Sequence, residues 1–153
     1  MNNLKDHIDS IDQYVILKLD GEYYGIAINF VETIEKVLEI TRLPNSPEYL
    51  KGVINLRGEV IPVIDLRKRF GMGDTTITEE SRIIILSFED IVVGILVDTS
   101  SEVLTIENDQ IDNTNALIDS TEDNYIKGIG KIGDRMIIIL DIMKILVEGL
   151  KEE

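Results

Sequence analysis

The chain has 153 residues, the size of one domain or of two small lobes, and its 44% hydrophobic content is concentrated in Ile, Val and Leu, a bias that favours strands. The formal net charge of -14 opposes binding to a phosphate backbone or an anionic membrane surface, so we expect no nucleic-acid partner. The absence of cysteine excludes disulfides and thiolate chemistry, and no apolar run approaches the roughly 18 residues of a membrane span, so we expect a soluble, cytoplasmic protein with no direct membrane insertion.

The first half of the chain begins with a predicted β-hairpin. Apolar residues at 14–19 and 22–28 predict two strands, and Asp20-Gly21 between them suits a tight turn. The next segment, residues 31–43, has apolar residues whose spacing fits either a helix or a bent strand. Its first residues are rich in β-branched side chains, which favour the strand.

A second hairpin and a short helix complete this half. Strands predicted at 53–56 and 59–64 flank the turn Arg57-Gly58. Asp65, a residue type suited to the N-cap of a helix, precedes residues whose apolar spacing changes to a helical period. We interpret the basic residues Arg67-Lys68-Arg69 as a solvated helical face rather than a nucleic-acid patch.

The second half repeats the same order of elements. Tyr49–Phe70 aligns without gaps with Tyr125–Leu146, with six identities in 22 positions, and residues 15–34 align with 84–103. The alignment predicts two more hairpins and a second helix, capped by Asp141. The predicted strands of this half are 82–88, 91–97, 129–132 and 135–140.

Several short strands, repeated twice, predict paired small β-barrels rather than an alternation of helix and strand. We predict a single domain over residues 13–147, with a first repeat over about 14–71 and a second over about 82–147. The terminal residues, 1–10 and 149–153, are predicted to be frayed.

Three features suggest chemistry, and we interpret each without a catalytic role. Gly128-Ile-Gly-Lys-Ile-Gly133 matches the dinucleotide-binding GxGxxG pattern, but a predicted strand follows it instead of a helix, which indicates a hairpin turn. Residues 112–123 are acidic, yet they have Leu117 and Asp123 where a calcium loop needs Gly and Glu. The single histidine, His7, lies in a polar segment. We therefore expect no catalytic residue, no metal site and no cofactor.

The segment Lys51–Arg67, KGVINLRGEVIPVIDLR, closely resembles the signature of the CheW family, the chemotaxis adaptors that couple chemoreceptors to the histidine kinase CheA. Similar stretches occur at Tyr24–Ile28, Arg42–Pro44 and Val92–Asp98, and the resemblance covers about residues 13–147. It implies a mainly β fold of two intertwined five-stranded SH3-like β-barrels with short helices around a shared core. It also implies no enzymatic activity.

The same resemblance implies two protein partners. One is the cytoplasmic hairpin tip of methyl-accepting chemoreceptors, whose apolar helix stripe would enter a groove between the barrels, and the other is the regulatory domain of CheA. The implied localisation is cytoplasmic, with recruitment to membrane-associated receptor arrays. The implied receptor-binding residues are Val31, Thr33, Ile34, Arg57 and Val60, and the implied kinase-binding residues are Ile40, Lys51 and Leu56.

Each role has an alternative. Arg57 could hold a carbonyl or carboxylate in its turn as a structural residue, and Val31 and Ile34 could belong to the core. The family often has Glu where this chain has Thr33, which puts a polar contact there in question. At the level of function, the alternatives are a CheW-like adaptor in a different chemosensory-type pathway and a small nucleotide-binding enzyme.

Overall fold

The structure is a computed structural model that describes residues 13–113 and 125–151. His7 and most of the acidic segment 112–123 lie outside the described residues. The described helices are α1 (Leu66–Arg69) and α2 (Ile142–Lys151), with short 3-10 turns at Ile28–Phe30 and Asn108–Gln110. The strands are β1 Gln13–Leu19, β2 Glu22–Ala27, β3 Val31–Lys36, β4 Leu50–Leu56, β5 Glu59–Asp65, β6 Arg82–Phe88, β7 Ile91–Val97, β8 Thr99–Thr105, β9 Ile111–Asn113, β10 Ile126–Ile132 and β11 Arg135–Leu140.

The predicted strands are confirmed to within a few residues at their ends. Of the segment 31–43, only Val31–Lys36 forms a strand, β3, and the rest is irregular apart from a bridge at Thr41. The turns explain why the hairpins form. Asp20 and Gly21 have φ of 52° and 84°, and Arg57 and Gly58 have φ of 53° and 89°. Two successive positive φ angles give a two-residue turn whose twist matches that of the strands it joins.

Contacts divide the chain into two compact units. Among the described residues, the terminal unit contains residues 13–17, Gly21–Phe30, 101–113 and 125–151, and the central unit contains Lys18–Asp20 and Val31–Ser100. The first hairpin of the chain therefore shares a sheet with the last one, because β11 pairs in parallel with β2. In the same way β5 pairs in parallel with β7. Each barrel thus combines the first hairpin of one repeat with the second hairpin of the other.

The central unit is built on a five-stranded sheet with the order β3-β6-β7-β5-β4. Thr41, downstream of β3, exchanges two backbone hydrogen bonds of 2.8 Å with Val53 of β4, and this bridge closes the sheet into a barrel. The core of the barrel is aliphatic, and burial of each such side chain contributes roughly 1.5–3 kcal/mol. Its buried members are Ile54, Ile61, Val63, Ile83, Ile85 and Leu96.

The terminal unit is built on a sheet with the order β8-β1-β2-β11-β10-β9, and its buried core contains Tyr14, Ile16, Ile106, Ile137 and Ile139. This sheet has six strands where we expected five, because the three-residue strand β9 adds to β10. Gly128 permits β9 to approach β10 closely. A Cβ on this residue would lie 2.9 Å from Cγ2 of Ile111 and 3.1 Å from the carbonyl oxygen of Asp112. A mainly β fold of two SH3-like barrels is therefore confirmed, with one extra strand.

Both predicted helix caps are confirmed, and they differ in strength. The Asp65 Oδ1 atom accepts a hydrogen bond from the backbone N–H of Lys68 at 3.4 Å, and the carboxylate also accepts two from Thr75, from N at 3.0 Å and from Oγ1 at 2.6 Å. Asp141 accepts one capping bond, from the backbone N–H of Lys144 at 3.2 Å. Asp65 is buried, so these bonds tie the segment after α1 to the end of β5.

No helix in the described parts of the chain is long and apolar enough to cross a membrane.

Candidate functional site

The β4–β5 hairpin presents Arg57 at its tip. Asn55 pairs with Val60 and Leu56 with Glu59, so Arg57 and Gly58 form the two-residue turn. The backbone N–H of Gly58 donates to Oδ1 of Asn55 at 2.8 Å, which holds this turn from within. The Arg57 side chain does not take part in that bond and therefore projects from a rigid tip.

Arg57 makes one ion pair, between its Nη2 and Oε2 of Glu35 on β3, at 3.4 Å. The Arg57 side chain is 70% exposed. The Glu35 side chain is only 18% exposed, but water competes for the exposed guanidinium, so the pair contributes about 0–1 kcal/mol. The carboxylate contact of the structural alternative is present, but its geometry leaves most of the guanidinium accessible to another protein.

Val60 and Ile34 are exposed apolar side chains of the same unit, at 70% and 38%. Val60 lies opposite Asn55 on the hairpin face that points away from the core residues Ile54 and Ile61. Ile34 is too exposed for a core residue, whereas Val31 is half-buried. The Glu35–Arg57 pair joins the strand of Ile34 to the tip of the hairpin that carries Val60.

Thr33 differs from its neighbour in orientation. It pairs with Ile85, a core residue, whereas Ile34 pairs with Ile84, so the two side chains point to opposite faces of β3. The Thr33 Oγ1 atom is buried and makes no hydrogen bond. A buried polar atom without a partner costs free energy, so the hydroxyl of Thr33 destabilises this strand slightly.

The kinase-facing candidates separate into two places. Ile40 and Lys51 line one concave site of about 710 Å³, formed by the segment between β3 and β4 together with residues near Asp74. Leu56 is half-buried against the core of the central barrel and does not line this site. The structure therefore brings Ile40 and Lys51 together and leaves Leu56 apart.

The basic cluster of α1 is engaged within the protein. Arg67 contacts Asp20 through Nη2 at 3.0 Å and Asp98 through Nε at 3.3 Å. The guanidinium of Arg69 lies 4.8 Å from the ring centroid of Tyr49. Lys68 Nζ also lies 3.2 Å from Asp74 Oδ1 and 3.9 Å from Glu48 Oε1. The predicted solvated helical face is therefore wrong, because all three basic side chains are held by partners within the protein.

The glycine-rich segment 128–133 forms β10 and the turn before β11, with Gly133 at φ 59°. A strand follows the glycines, as expected, so the helix N-terminus that a dinucleotide pyrophosphate requires does not occur at this position.

One polar cluster in the terminal unit was not anticipated from the sequence. Arg135 binds Glu102 through two parallel hydrogen bonds of 3.1 Å and stacks 4.8 Å from the ring centroid of Tyr23. The hydrogen bond that Arg135 donates to Glu102 is the main cause that raises the pKa of Arg135 above its ordinary value, followed by its hydrogen bond with Tyr23. In the repeat alignment Glu102 corresponds to Thr33, and Arg135 corresponds to Glu59. The first copy therefore has no pair of opposite charges at these positions, and comparison of the copies could not have indicated this ion pair.

The central barrel presents an exposed cation, Arg57, and two exposed apolar side chains, Val60 and Ile34, and such a surface is typical of a protein-interaction module. The comparison with known proteins agrees with this class. The family model described as CheW-like domain matches residues 13–149. The chemotaxis protein CheW of Klebsiella aerogenes is 39% identical over 134 residues, which cover 88% of this chain and 81% of that protein.

Further relatives match over similar lengths. The chemotaxis protein CheW of Bacillus subtilis is 38% identical over 135 residues, covering 88% of this chain and 86% of that protein. The crystal structure of the scaffolding protein TtCheW from Thermoanaerobacter tengcongensis superposes with a TM-score of 0.77 and 39% identity, covering 84% of this chain and 88% of that chain. The chain belongs to the CheW family of chemotaxis proteins.

Proposed function

We propose that the chain is a non-enzymatic adaptor that couples chemoreceptors to the histidine kinase CheA. The observation that carries the proposal is the match of the CheW-like family model to residues 13–149, which spans both barrels. Relatives named as chemotaxis proteins and a structural neighbour named as a scaffolding protein support it. In this role the chain acts in the cytoplasm, at receptor arrays, as one functional domain over residues 13–147.

The receptor-facing surface that we propose comprises Val31, Thr33, Ile34, Arg57 and Val60. Its exposed apolar side chains, Val60 and Ile34, suit the apolar stripe of a receptor helix, because burying them on binding removes apolar surface from water. Arg57 supplies a cation at the edge of this surface. Val31 and Thr33 are half-buried. A receptor helix would contact them by extending along β3, and not through the face of the strand that carries Ile34.

The kinase-facing residues that we propose are Ile40, Lys51 and Leu56. Ile40 and Lys51 share a concave site, which suits a protruding side chain of the CheA regulatory domain. Leu56 packs on the barrel core, so its contribution would be to support the β4–β5 hairpin as well as to contact the partner.

Reconstitution tests the proposal. Receptor-containing membranes and CheA from the same organism are mixed with increasing amounts of the chain, and kinase autophosphorylation is measured. An adaptor raises the activity in a saturable manner. Unchanged activity over a saturating range refutes the proposal.

A pair of variants at repeat-equivalent positions makes the reconstitution specific. Val60→Asp alters the proposed receptor surface, whereas Met136→Asp alters the aligned position of the second repeat, which is 63% exposed. We expect Val60→Asp to reduce the receptor-dependent activity at least about tenfold, since burying an unpaired charge costs several kcal/mol. Met136→Asp should leave the activity close to that of the unaltered chain.

A further inference from the structure

The tip of the β4–β5 hairpin and the strand beside it differ from their counterparts in the second repeat at three positions. Extended by one residue at its end, the repeat alignment gives the pairs Glu35/Leu104, Asn55/Lys131 and Arg57/Gly133. In the structure the three residues of the first copy come together. Arg57 contacts Glu35, and Asn55 accepts a hydrogen bond from the residue that follows Arg57. The three differences therefore form one local group.

Arg57 has a backbone conformation that favours glycine. Its φ is 53°, and Gly133 at the equivalent position of the second repeat has nearly the same φ, 59°. A residue with a Cβ is disfavoured in this left-handed region, whereas glycine adopts it freely. The turn itself therefore does not require arginine at position 57, and the reason for arginine lies in its side chain.

Asn55 stabilises the turn in this conformation. Its Oδ1 atom accepts a hydrogen bond from the backbone N–H of Gly58 at 2.8 Å. Lys131, the equivalent residue, cannot accept such a bond, because an ammonium group has only donors, and its Nζ pairs with Oδ2 of Asp112 at 3.0 Å. The bond within the turn therefore belongs to the copy whose turn begins with arginine, and it offsets part of the strain at Arg57.

Glu35 contacts the other end of the arginine. It lies opposite the core residue Ile83, and its side chain is only 18% exposed, whereas the equivalent Leu104 packs on the core of the terminal unit. A carboxylate at a half-buried position loses hydration, and Arg57 compensates for part of this loss by donating from Nη2 to Oε2 of Glu35 at 3.4 Å. The contact sets a preferred direction for the guanidinium, most of which stays exposed.

We propose that Asn55 and Glu35 are positioning residues for receptor binding, which hold the guanidinium of Arg57 where its exposed N–H groups meet a hydrogen-bond acceptor of the receptor helix. The inference rests on the proposed function, in which Arg57 belongs to the receptor-facing surface. Asn55 acts through the backbone of the turn, and Glu35 acts through the guanidinium. An arginine that is oriented before binding loses less side-chain freedom in the complex, which favours affinity.

A double-mutant cycle on the full chain tests the role of Asn55. Co-sedimentation with receptor-containing membranes from the same organism, without CheA, gives the Kd for the receptor. Arg57→Ala should raise this Kd about tenfold or more, and Asn55→Ala about three- to tenfold. In the Arg57→Ala background, Asn55→Ala should change the Kd less than about twofold, because no guanidinium is left to position. Equal weakening in both backgrounds would overturn the proposal, since Asn55 would then act on the whole hairpin.

A conservative variant and a matched control separate positioning from folding. Asn55→Asp keeps an oxygen that accepts from the N–H of Gly58, so it should bind the receptor within about twofold of the unaltered chain. Lys131→Ala should do the same, because both side chains of the Lys131–Asp112 pair are more than half exposed. Binding that is lost equally in Asn55→Ala and Asn55→Asp, with unchanged melting temperatures, would contradict a role through the turn.

Arg57→Gly tests the backbone step. This variant has the residue of the second repeat, so it should melt at no lower temperature than the unaltered chain and bind the receptor as weakly as Arg57→Ala. A melting temperature below that of Arg57→Ala would show that the turn is not strained by arginine, and would remove the reason given for the bond from Asn55.

Variants of Glu35 provide an independent branch of the test. Glu35→Gln removes the charge, and Glu35→Leu has the residue of the second repeat. Each should weaken receptor binding about two- to fivefold, and neither should do so when Arg57 is replaced by alanine. Tighter binding by these variants would show that Glu35 competes with the receptor for the guanidinium, and would overturn its positioning role.

The outcomes distinguish this inference from the proposed function. If the unaltered chain binds receptor membranes and Arg57→Ala binds them equally well, the inference is overturned and the adaptor function stands. If the unaltered chain neither binds these membranes nor raises kinase activity in the reconstitution, both proposals are overturned.

Discussion

Gly52 lets Thr41, in the segment between β3 and β4, lie against β4, and replacing Gly52 by alanine tests that arrangement. Its φ of 153° lies in a region that side chains rarely adopt. A Cβ at this position would overlap the carbonyl oxygen of Thr41 and would lie 2.8 Å from Cγ2 of Ile40. Because the carbonyl belongs to the Thr41–Val53 bridge, alanine cannot be accommodated without moving that bridge.

The magnitude follows from two contributions. Holding a residue other than glycine in this backbone region costs about 1–3 kcal/mol. Loss of the two hydrogen bonds of the bridge costs about 0.5–1.5 kcal/mol each. We therefore expect Gly52→Ala to lower the free energy of unfolding by about 2–6 kcal/mol, which is a large fraction of the about 5–15 kcal/mol that stabilises a typical domain.

Equilibrium unfolding in urea measures the loss, and Gly58→Ala is the matched control. Gly58 also has a positive φ, of 89°, but a Cβ there meets no atom within 4 Å. The control should lose only the backbone contribution, about 1–3 kcal/mol, and none of the cost of the bridge. If the two variants lose the same stability to within about 0.5 kcal/mol, the close approach to Thr41 is not the reason for glycine at position 52.

Three further predictions concern single side chains. Ile34→Asp should weaken receptor binding more than about tenfold, because the new carboxylate would be buried without a partner in the complex. The melting temperature should stay nearly unchanged, because Ile34 is 38% exposed in the free protein. Equal loss of kinase binding together with a lower melting temperature would show that Ile34 is a core residue. Arg57→Ala should cost less than about 1 kcal/mol of stability yet reduce receptor-dependent kinase activity, whereas unfolding would show a structural role. Asp65→Ala should lower the free energy of unfolding in urea by about 2–4 kcal/mol, because it removes the helix cap and two hydrogen bonds from Thr75. Asp141→Ala removes only a cap and should lower it by about 1 kcal/mol. Equal losses for the two variants would contradict this account.

The hairpins could be predicted because their causes are local. Runs of Ile, Val and Leu favour strands, and turn residues such as Asp20-Gly21 adopt the positive φ that a two-residue turn requires. The helix caps at Asp65 and Asp141 are local in the same sense, because each side chain reaches a backbone N–H three residues later.

The candidate site was predicted in part. The resemblance named Arg57, and the structure leaves its guanidinium exposed, but the contact with Glu35 joins residues 22 positions apart and has no signature in the sequence. The opposite orientations of Thr33 and Ile34 depend on the register with β6, which β-branched composition does not specify. The binding roles of these residues stay predictions.

The sequence by itself determined the duplication, the hairpins and caps of each copy, and, through the signature around residues 51–67, the family. Only the tertiary structure decided which hairpins share a barrel, because the parallel pairs β2–β11 and β5–β7 join strands that are distant along the chain. The tertiary structure also placed Glu35 beside Arg57 at the tip of the β4–β5 hairpin. Local patterns report the backbone preferences of neighbouring residues, whereas these juxtapositions depend on burying apolar faces from distant segments in a common core.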